Sequence, residues 1–571
     1  MISMRKITSN LMNSLNENLA EYSPMTLVVG TFATTLALQK AYAIYQHWDT
    51  KQIKRNLADN SIELLKHLPY IGQQVQSKMD SEVNSLLSEM KADIEKIRAE
   101  WNLVDKIPEE GLSEEEIRKR FENLQSHYKA GRLSGAVYAE YDQKFSELLQ
   151  HVWSKTALTN PMHPEWPLIN LMEAEIISIC QDLLHGLPGA PGMLTHGGST
   201  SILEACKAYV LYARENGIQE PEIIVPESVH VAFDKAAQIL NCKLVKIPVD
   251  ETTGAADVTA MEQAITKRTC MMVGSAPSFP FGVIDPIPAL AAIAKKHLVP
   301  LHVDSCLGGF LTAFAQQAGL DIPPCDFSVL GVTSISIDTH KYGQTPKGTS
   351  VLLWRHDCPA TPTQVYPDWP GGMYATPGID GSRSGADVAT AWTVLCHKGK
   401  KQYIEETKAI LELKEQLVDA IKKIKGIYIP YAPQLSVIAI RGKKGINPLL
   451  IADRLKQAGW SVNILQTPDQ KAIGFHFCLT IVHTQQPEFL TSFIQDLSRA
   501  TQYTINHPKE KPKGIVKVYG KLGKWISPCV QKRIGEEYIK IRHTLPGTSI
   551  KSSQDSDSTH SNNQESRPLA R

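Results

Sequence analysis

The chain has 571 residues, 42% of them hydrophobic and 21% charged, with a net charge of +1. That length exceeds one compact domain, so two or three folded units plus tails are expected, and the balanced charge gives no electrostatic case for nucleic acid as the main partner. The ten cysteines stand singly without a CxxC pair, which argues against a zinc site or a disulfide scaffold and fits a reducing compartment.

In chain order, residues 1–55 form an N-terminal segment whose apolar part, about 25–45, reads MTLVVGTFATTLALQKAYAIY. Met25 to Leu38 is short of the roughly 20 residues a spanning helix needs, but Lys40 can snorkel and Ala41 to Tyr45 complete the span; the alternative is an N-terminal packing or dimer-arm helix. Lys40, Lys51, Lys54 and Arg55 follow it closely, so the positive-inside tendency leaves the rest of the chain in the cytosol. Residues 56–165 read as a polar helical segment, with a capping box from Ser113 to Glu116. From 166 to 385 helical and extended patterns alternate, which predicts a parallel sheet with crossover helices. Pro167 to Leu184 is an amphipathic helix, and Ile223 to Val225, Leu244 to Ile247 and Met271 to Gly274 are short strands. Residues 386–510 change rhythm and predict a smaller α+β unit. It contains a long helix around Ile404 to Ile424, strands near Ile427 to Ile429, Leu435 to Ile440 and Phe475 to Thr480, and a helix punctuated by Asn447, Pro448 and Gly459. Residues 511–571 are an extension ending, from about Thr548, in a Ser/Asn/Gln-rich tail predicted to be disordered.

The chemistry concentrates between Val299 and Leu353. The run Pro300 to Val303 ends on Asp304, and the run Ser334 to Ile337 ends in Asp338-Thr339-His340-Lys341. Each acid or lysine thus stands just past the C-terminal end of a predicted parallel strand, the edge where open α/β sheets hold ligands. An Asp/Lys pair so placed suits pyridoxal phosphate, the lysine forming a Schiff base and the carboxylate keeping the pyridine nitrogen protonated. Gly197-Gly198-Ser199-Thr200-Ser201 opens a helix, whose N-terminus suits a phosphate; alone, such a turn is ordinary. His230 is positioned to stack on a cofactor ring. The proline-rich stretch Asn160 to Pro164 holds Asn160 and His163 on a stiff loop, and Gly371-Gly372-Met373-Tyr374 and Gly381-Ser382-Arg383 read as loops near a ligand or a subunit interface.

Together these segments closely resemble the pyridoxal-phosphate-dependent sphingosine-1-phosphate lyases, a family related to the group II decarboxylases. The matching runs are SGAVY at 134–138, TNPMHP at 159–164, MEAEI at 172–176, GGSTSILEACKAY at 197–209 and FPFGVIDP at 279–286. They continue with HVDSCLGGF at 302–310, TSISIDTHKYGQTPKGTSVL at 333–352, GGMYATPGIDGSR at 371–383, PQLSVIAI at 433–440 and HFCLT at 476–480. The resemblance spans about residues 100–510, and the THKYG-x-x-PKG run, with its second lysine, separates this family from the decarboxylases.

The resemblance implies a fold-type-I pyridoxal-phosphate transferase architecture. A large domain holds a mostly parallel seven-stranded sheet, followed by a smaller α+β C-terminal domain and preceded by an N-terminal transmembrane helix. It implies that Lys341 is the Schiff-base lysine, that Asp304 pairs with the ring nitrogen, that His230 stacks on the ring and that His340 lies beside it. Gly198, Ser199 and Thr200 take the cofactor phosphate, joined by Gly371 from the second subunit of a homodimer with shared active sites. Lys347, Tyr138, Asn160 and His163 match positions used for substrate and catalysis. The implied reaction is retro-aldol cleavage of a phosphorylated sphingoid base, sphingosine 1-phosphate, to a long-chain aldehyde and phosphoethanolamine, with the enzyme membrane-anchored and facing the cytosol, on an endoplasmic-reticulum-like membrane if the protein is eukaryotic or host-directed. Lys347 or Tyr138 handles the 3-hydroxyl proton, and His163 and Asn160 bind the substrate phosphate. One departure stands out: the family's usual GGTES turn here reads GGSTS, preceded by His196 where serine is usual. The lost acid at Thr200 is expected to loosen the turn. The rival readings are an amino-acid decarboxylase, which has no use for Lys347, and a membrane-tethered scaffold without catalysis.

Overall fold

The short apolar runs between residues 192 and 354 join one sheet because neighbouring residues along each strand have two buried faces to fill. In the computed structural model these strands are β1 (Gly192–Thr195), β2 (Glu222–Pro226), β3 (Lys243–Ile247), β4 (Thr269–Ser275), β5 (Leu301–Asp304), β6 (Val332–Ile337) and β7 (Ser350–Trp354). Residues 129–356, 364–467 and 472–512 are described, together with 106–122, single positions between 77 and 104, residue 358 and 528–543. Met193, Ile223, Val225, Met271, Val273 and Leu352 pack on one face. Leu194, Ile224, Met272, Val303, Ile335 and Val351 pack on the other. Continuous apolar runs are what a sheet covered by helices on both sides requires.

The strand order is β1-β7-β6-β5-β4-β2-β3. β7 runs antiparallel to both of its neighbours, and every other pairing is parallel. The C-terminal ends of β4, β5 and β6 therefore open on one edge, and β1 points the same way. The predicted helix Pro167–Leu184 is found as Pro167–Leu183, and the glycine-rich turn opens the helix Gly198–Glu215. Within that helix the buried pair Lys207–Glu204 closes at 2.6 Å, and Glu204 also accepts from the Ile379 N–H. The ion pair thus ties the loop after residue 376 to the helix that starts at the site.

A short hairpin follows, β8 (Gln364–Tyr366) with β9 (Tyr374–Thr376). The next helix runs Gly385–Lys422, longer than the sequence pattern predicts, and is broken at Gly399, where φ is 65°. Beyond it, β10 (Ile427–Tyr428), β11 (Val437–Gly442), β12 (Asn463–Gln466) and β13 (Ala472–Cys478) form an antiparallel sheet in the order β10-β11-β13-β12. The helix punctuation read from sequence holds: the Asn447 side chain caps Pro448–Gln457, and Gly459 takes φ 87° after its end. Ser113 and Glu116 close their capping box.

The chain divides into two compact units, Arg98–Lys524 and a second one of Met1–Ile97 with Trp525–Arg571. All the strands among the described residues belong to the first. In the second, the helix Pro528–His543 buries Ile534, and Arg533 pairs with Asp80 at 2.8 Å. Among the described residues no helix is long and apolar enough to cross a membrane. The segment 25–45, expected to do so, lies outside the described residues, as does the tail from Thr548.

Three buried histidines make the first unit sensitive to acid. His302 lies between the hydroxyls of Ser334 and Ser336, His476 meets the Pro280 carbonyl, and His483 accepts from the Thr480 N–H. Burial lowers each from 6.5 to about 4. Between these values the unfolded chain binds protons that the folded one refuses, so stability falls as pH falls through that window, by up to about 3 kcal/mol per histidine. Asp285, raised by burial to about 6, works in the opposite direction, as do Glu227 and Asp387, which burial also raises, but the three histidines span the whole window. Urea midpoints measured from pH 7 to pH 4.5 should fall steadily; a flat profile contradicts this assignment.

Candidate active site

At the open edge of the main sheet lies a cleft of about 420 Å³. Tyr138, Gly198, Ser199, Thr200, His230, Asp304, His340 and Lys341 line it, eight of the residues singled out from sequence, together with His196, Ser275, Phe279, Cys306 and Asp338.

The glycine-rich turn supplies an anion cradle. Gly197 takes φ 147°, and its carbonyl accepts the first helical hydrogen bonds, from Thr200 N at 2.9 Å and Ser201 N at 3.1 Å. The N–H groups of Gly198 and Ser199 thus precede the helical ladder and face outward at the positive end of the helix dipole. At Gly198 even a Cβ would come within 2.8 Å of Asp338 Oδ1 and 2.9 Å of Cys306 Sγ, so only glycine fits. The turn is held by bonds that involve no side chain at position 200. Thr195 Oγ meets Ser201 Oγ at 2.7 Å, Ser201 meets Ser350 at 2.8 Å, and His196 Nδ1 meets Asp380 Oδ2 at 2.9 Å.

Asp304 ends β5 and is 7% exposed. Its Oδ1 accepts from the Cys306 N–H at 3.1 Å and the Ser336 hydroxyl at 3.4 Å, which fixes the carboxylate. His230 is oriented by the Ala232 N–H, which donates to its Nδ1 at 3.2 Å, and its ring lies edge-on to Phe279. Lys341 Nζ is 2.9 Å from Asp338 Oδ2. Burial opposes the lysine's charge, but Asp338, Cys306 and Asp304 together outweigh burial and hold the ammonium above its ordinary range.

The loop after Lys341 is locked from three distant parts of the chain. Tyr141 and Tyr403 donate their hydroxyls to the Gln344 and Gly343 carbonyls, and Tyr342 donates to the Leu479 carbonyl. Gln344 adopts φ 60° and is gripped by Lys398 and Glu406. That loop delivers Lys347, whose Nζ sits 4.5 Å from the centre of the Tyr138 ring and 3.4 Å from the His340 carbonyl. Burial, then the nearby Lys341 ammonium, lowers the Lys347 pKa, while burial raises that of Tyr138.

Four of the residues named from sequence do not line the cleft of this chain, and Lys347, which sits over the Tyr138 ring, is one of them. Asn160 donates to Ser382 Oγ at 3.0 Å, and His163 is largely exposed beside Glu165 and Trp166. Gly371 packs under Trp369 in the β8–β9 connection. Sequence reading also passed over Asp338, Cys306 and Ser275 as site residues. For Asp338 a signal existed: it stands three residues before Lys341 immediately after a strand.

A flat ring bearing an aldehyde and a phosphate fits these groups. The helix N-terminus suits the phosphate, the His230 imidazole a ring face, and Asp304 a protonated ring nitrogen. The amine of Lys341 suits the aldehyde, and the buried Ser275 hydroxyl, without a hydrogen-bond partner of its own, supplies a further donor.

Comparison with known proteins gives the same picture. Residues 152–443 match the pyridoxal-dependent decarboxylase conserved domain. The probable sphingosine-1-phosphate lyase of Legionella pneumophila is 41% identical over 567 residues, covering 93% of this chain and 92% of the relative. Sphingosine-1-phosphate lyase 1 of Rattus norvegicus is 37% identical, covering 89% of this chain and 88% of its own. Among solved structures, the sphingosine-1-phosphate lyase of Burkholderia pseudomallei superposes with a TM-score of 0.70 at 32% identity, covering 78% of this chain and 99% of that one. The glutamate decarboxylase of Lactobacillus brevis, at 19% identity and a TM-score of 0.63 over 73% of this chain, shares the fold.

Proposed function

This chain belongs to the sphingosine-1-phosphate lyase family, and from that premise we propose how its own residues divide the work. It is a pyridoxal-phosphate-dependent carbon–carbon lyase that cleaves sphingosine 1-phosphate to a long-chain aldehyde and phosphoethanolamine. When bound, pyridoxal phosphate supplies an electron sink for the carbon left behind as the C2–C3 bond breaks. Lys341 holds the cofactor covalently, Asp304 keeps its ring nitrogen protonated, and His230 covers the ring. Gly198, Ser199 and Thr200 receive its phosphate, and His340 flanks it.

The observation that carries the lyase reading is the placement of Lys347 over the Tyr138 ring beside Lys341. Retro-aldol cleavage needs a group to take the 3-hydroxyl proton, within about 3 Å of it. The Lys347 amine, its pKa lowered by burial and by Lys341, is suited to receive that proton at Nζ. The Tyr138 hydroxyl, kept protonated by burial, steadies the substrate oxygen. A decarboxylase has no hydroxyl proton to remove and no use for this pair. Lys347→Met should lower kcat about 10²-fold, the scale of one acid–base group, while the visible absorbance of bound cofactor stays. A variant within threefold of wild type would remove Lys347 from the proton path.

Asn160, His163 and Gly371 act at the cleft of a second chain. The first two take the substrate phosphate and Gly371 adds to the cofactor phosphate site, in a homodimer with shared active sites. Residues 166–385 serve as the cofactor-binding domain and 386–510 as the small domain. The segment 25–45 anchors the enzyme to an endoplasmic-reticulum-type membrane with the catalytic body on the cytosolic side. A single long-chain substrate partitions into bilayer at about 0.8 kcal/mol per CH₂, which favours an enzyme held at that surface. The full chain, purified in detergent with pyridoxal phosphate, should release long-chain aldehyde from sphingosine 1-phosphate. Carbon dioxide from amino acids, with no aldehyde, would make it a decarboxylase instead.

A further inference from the structure

Asp338 is the most deeply enclosed carboxylate at the cleft, 2% exposed against 7% for Asp304. It leaves β6 so that one oxygen, Oδ2, serves two partners on the same turn: Lys341 Nζ at 2.9 Å and His340 Nε2 at 3.5 Å. The Thr349 N–H donates to His340 Nδ1 at 3.2 Å, so the neutral imidazole carries its proton on Nε2, toward Asp338. The other carboxylate oxygen lies beneath Gly198, against the turn that cradles the phosphate. A buried carboxylate is costly unless its charge is matched. Here the match depends on Lys341, and the ammonium that faces Asp338 exists only while that nitrogen is not joined to the cofactor.

We propose that Asp338 is a positioning residue, the counter-ion to which Lys341 returns whenever that lysine is free of the cofactor. This rests on the reading of Lys341 as the cofactor-bearing lysine. By favouring the free ammonium, Asp338 makes Lys341 ready to leave when a substrate amine arrives and slow to reattach before the product has gone. His340 keeps its Nε2 facing the carboxylate, at 3.5 Å, while the lysine is engaged. To take up the cofactor aldehyde, the ammonium first loses a proton to solvent; the nitrogen then forms a C=N bond and one water molecule leaves. Removing the Asp338 charge should make that first loss easier. The other groups that bear on Lys341 are Asp304 and Cys306 at the end of β5, Lys347 on its own loop and Cys478 on β13. All remain in place when only Asp338 is changed.

The test uses the full chain freed of cofactor, mixed with pyridoxal phosphate, with the rate of growth of the visible absorbance band recorded across pH. In Asp338→Asn the pH of half-maximal rate should fall by at least about one unit, making incorporation near neutral pH about tenfold faster, since an opposite charge at this range shifts a pKa by one to three units. Asp338→Glu, which keeps the charge, should retain the wild-type profile. A merely structural role would reduce the amplitude in Asp338→Asn without moving the pH dependence, and superimposable profiles overturn the proposal. Lys341→Ala separates the two levels: if it still forms the same covalent band, the reading of Lys341 itself has failed. Wild-type protein gives an answer that does not depend on recovering folded variant. Its rate should keep rising beyond the ordinary lysine range, near pH 10, and a rate that levels off below about pH 9 overturns the proposal.

Discussion

Lys341→Ala should be colourless after dialysis against buffer, release no more than about one-thousandth of the wild-type aldehyde, and fail to retain the cofactor after borohydride reduction, because it lacks the amine that orients the cofactor and gives way to substrate. The loss has a second part. Lys341 is the cation nearest to buried Asp338, and removing one partner of a buried pair leaves an uncompensated charge, at a cost of about 3–5 kcal/mol. The variant should therefore unfold at a lower denaturant concentration as well. The two effects separate in Lys341→Arg, which keeps a positive charge near Asp338 but offers no amine that can be deprotonated at working pH. It should recover much of the stability and none of the colour. A Lys341→Ala protein that keeps the absorbance band of wild type would sink the assignment.

Asp304→Asn is expected to lower kcat about 10²–10³-fold, the scale of one preorganised electrostatic group at a reacting centre, while leaving the cofactor attached and KM within a few-fold. The substitution is a clean one. The Asp304 oxygen that accepts from the Cys306 N–H and the Ser336 hydroxyl is replaced by an amide oxygen that accepts the same two bonds. What disappears is the negative charge that holds a ring nitrogen protonated. Measured kcat within threefold of wild type, with the colour retained, would show that the charge at this position does not support the reaction.

Much of the site could be read from the chain because its residues stand at punctuation points. Asp304 and Lys341 follow apolar runs of strand length, and the GGSTS turn precedes a helical pattern. Each is a local signal with a period or a cap behind it. Asp338 escaped notice as a site residue because its role rests on the turn after β6, which points its side chain under Gly198. The same holds for the tyrosines that lock the lysine loop: Tyr141, Tyr342 and Tyr403 read as ordinary aromatic residues until their hydroxyls meet backbone carbonyls far along the chain. The expected weakness at Thr200 is a local inference too, and it takes no account of bonds made by distant residues. Ser201, Thr195 and Ser350 hold the turn across β1 and β7, and Asp380 holds His196 from a separate loop.

By itself the sequence determined the central strands, the helix caps, the acid and the lysine at the strand ends and the family, since hydrophobic period and motif spacing are properties of neighbouring residues. The tertiary structure alone decided which of these points meet. β7 inserts antiparallel between β1 and β6, so the turn after β1 and the turn after β6 open on the same edge, and Gly198 comes to lie against Asp338. It also set Asn160, His163 and Gly371 outside the cleft that eight of the other residues line, with Lys347 over Tyr138. Contacts across more than a hundred residues follow from strand order and helix packing, which no local period encodes.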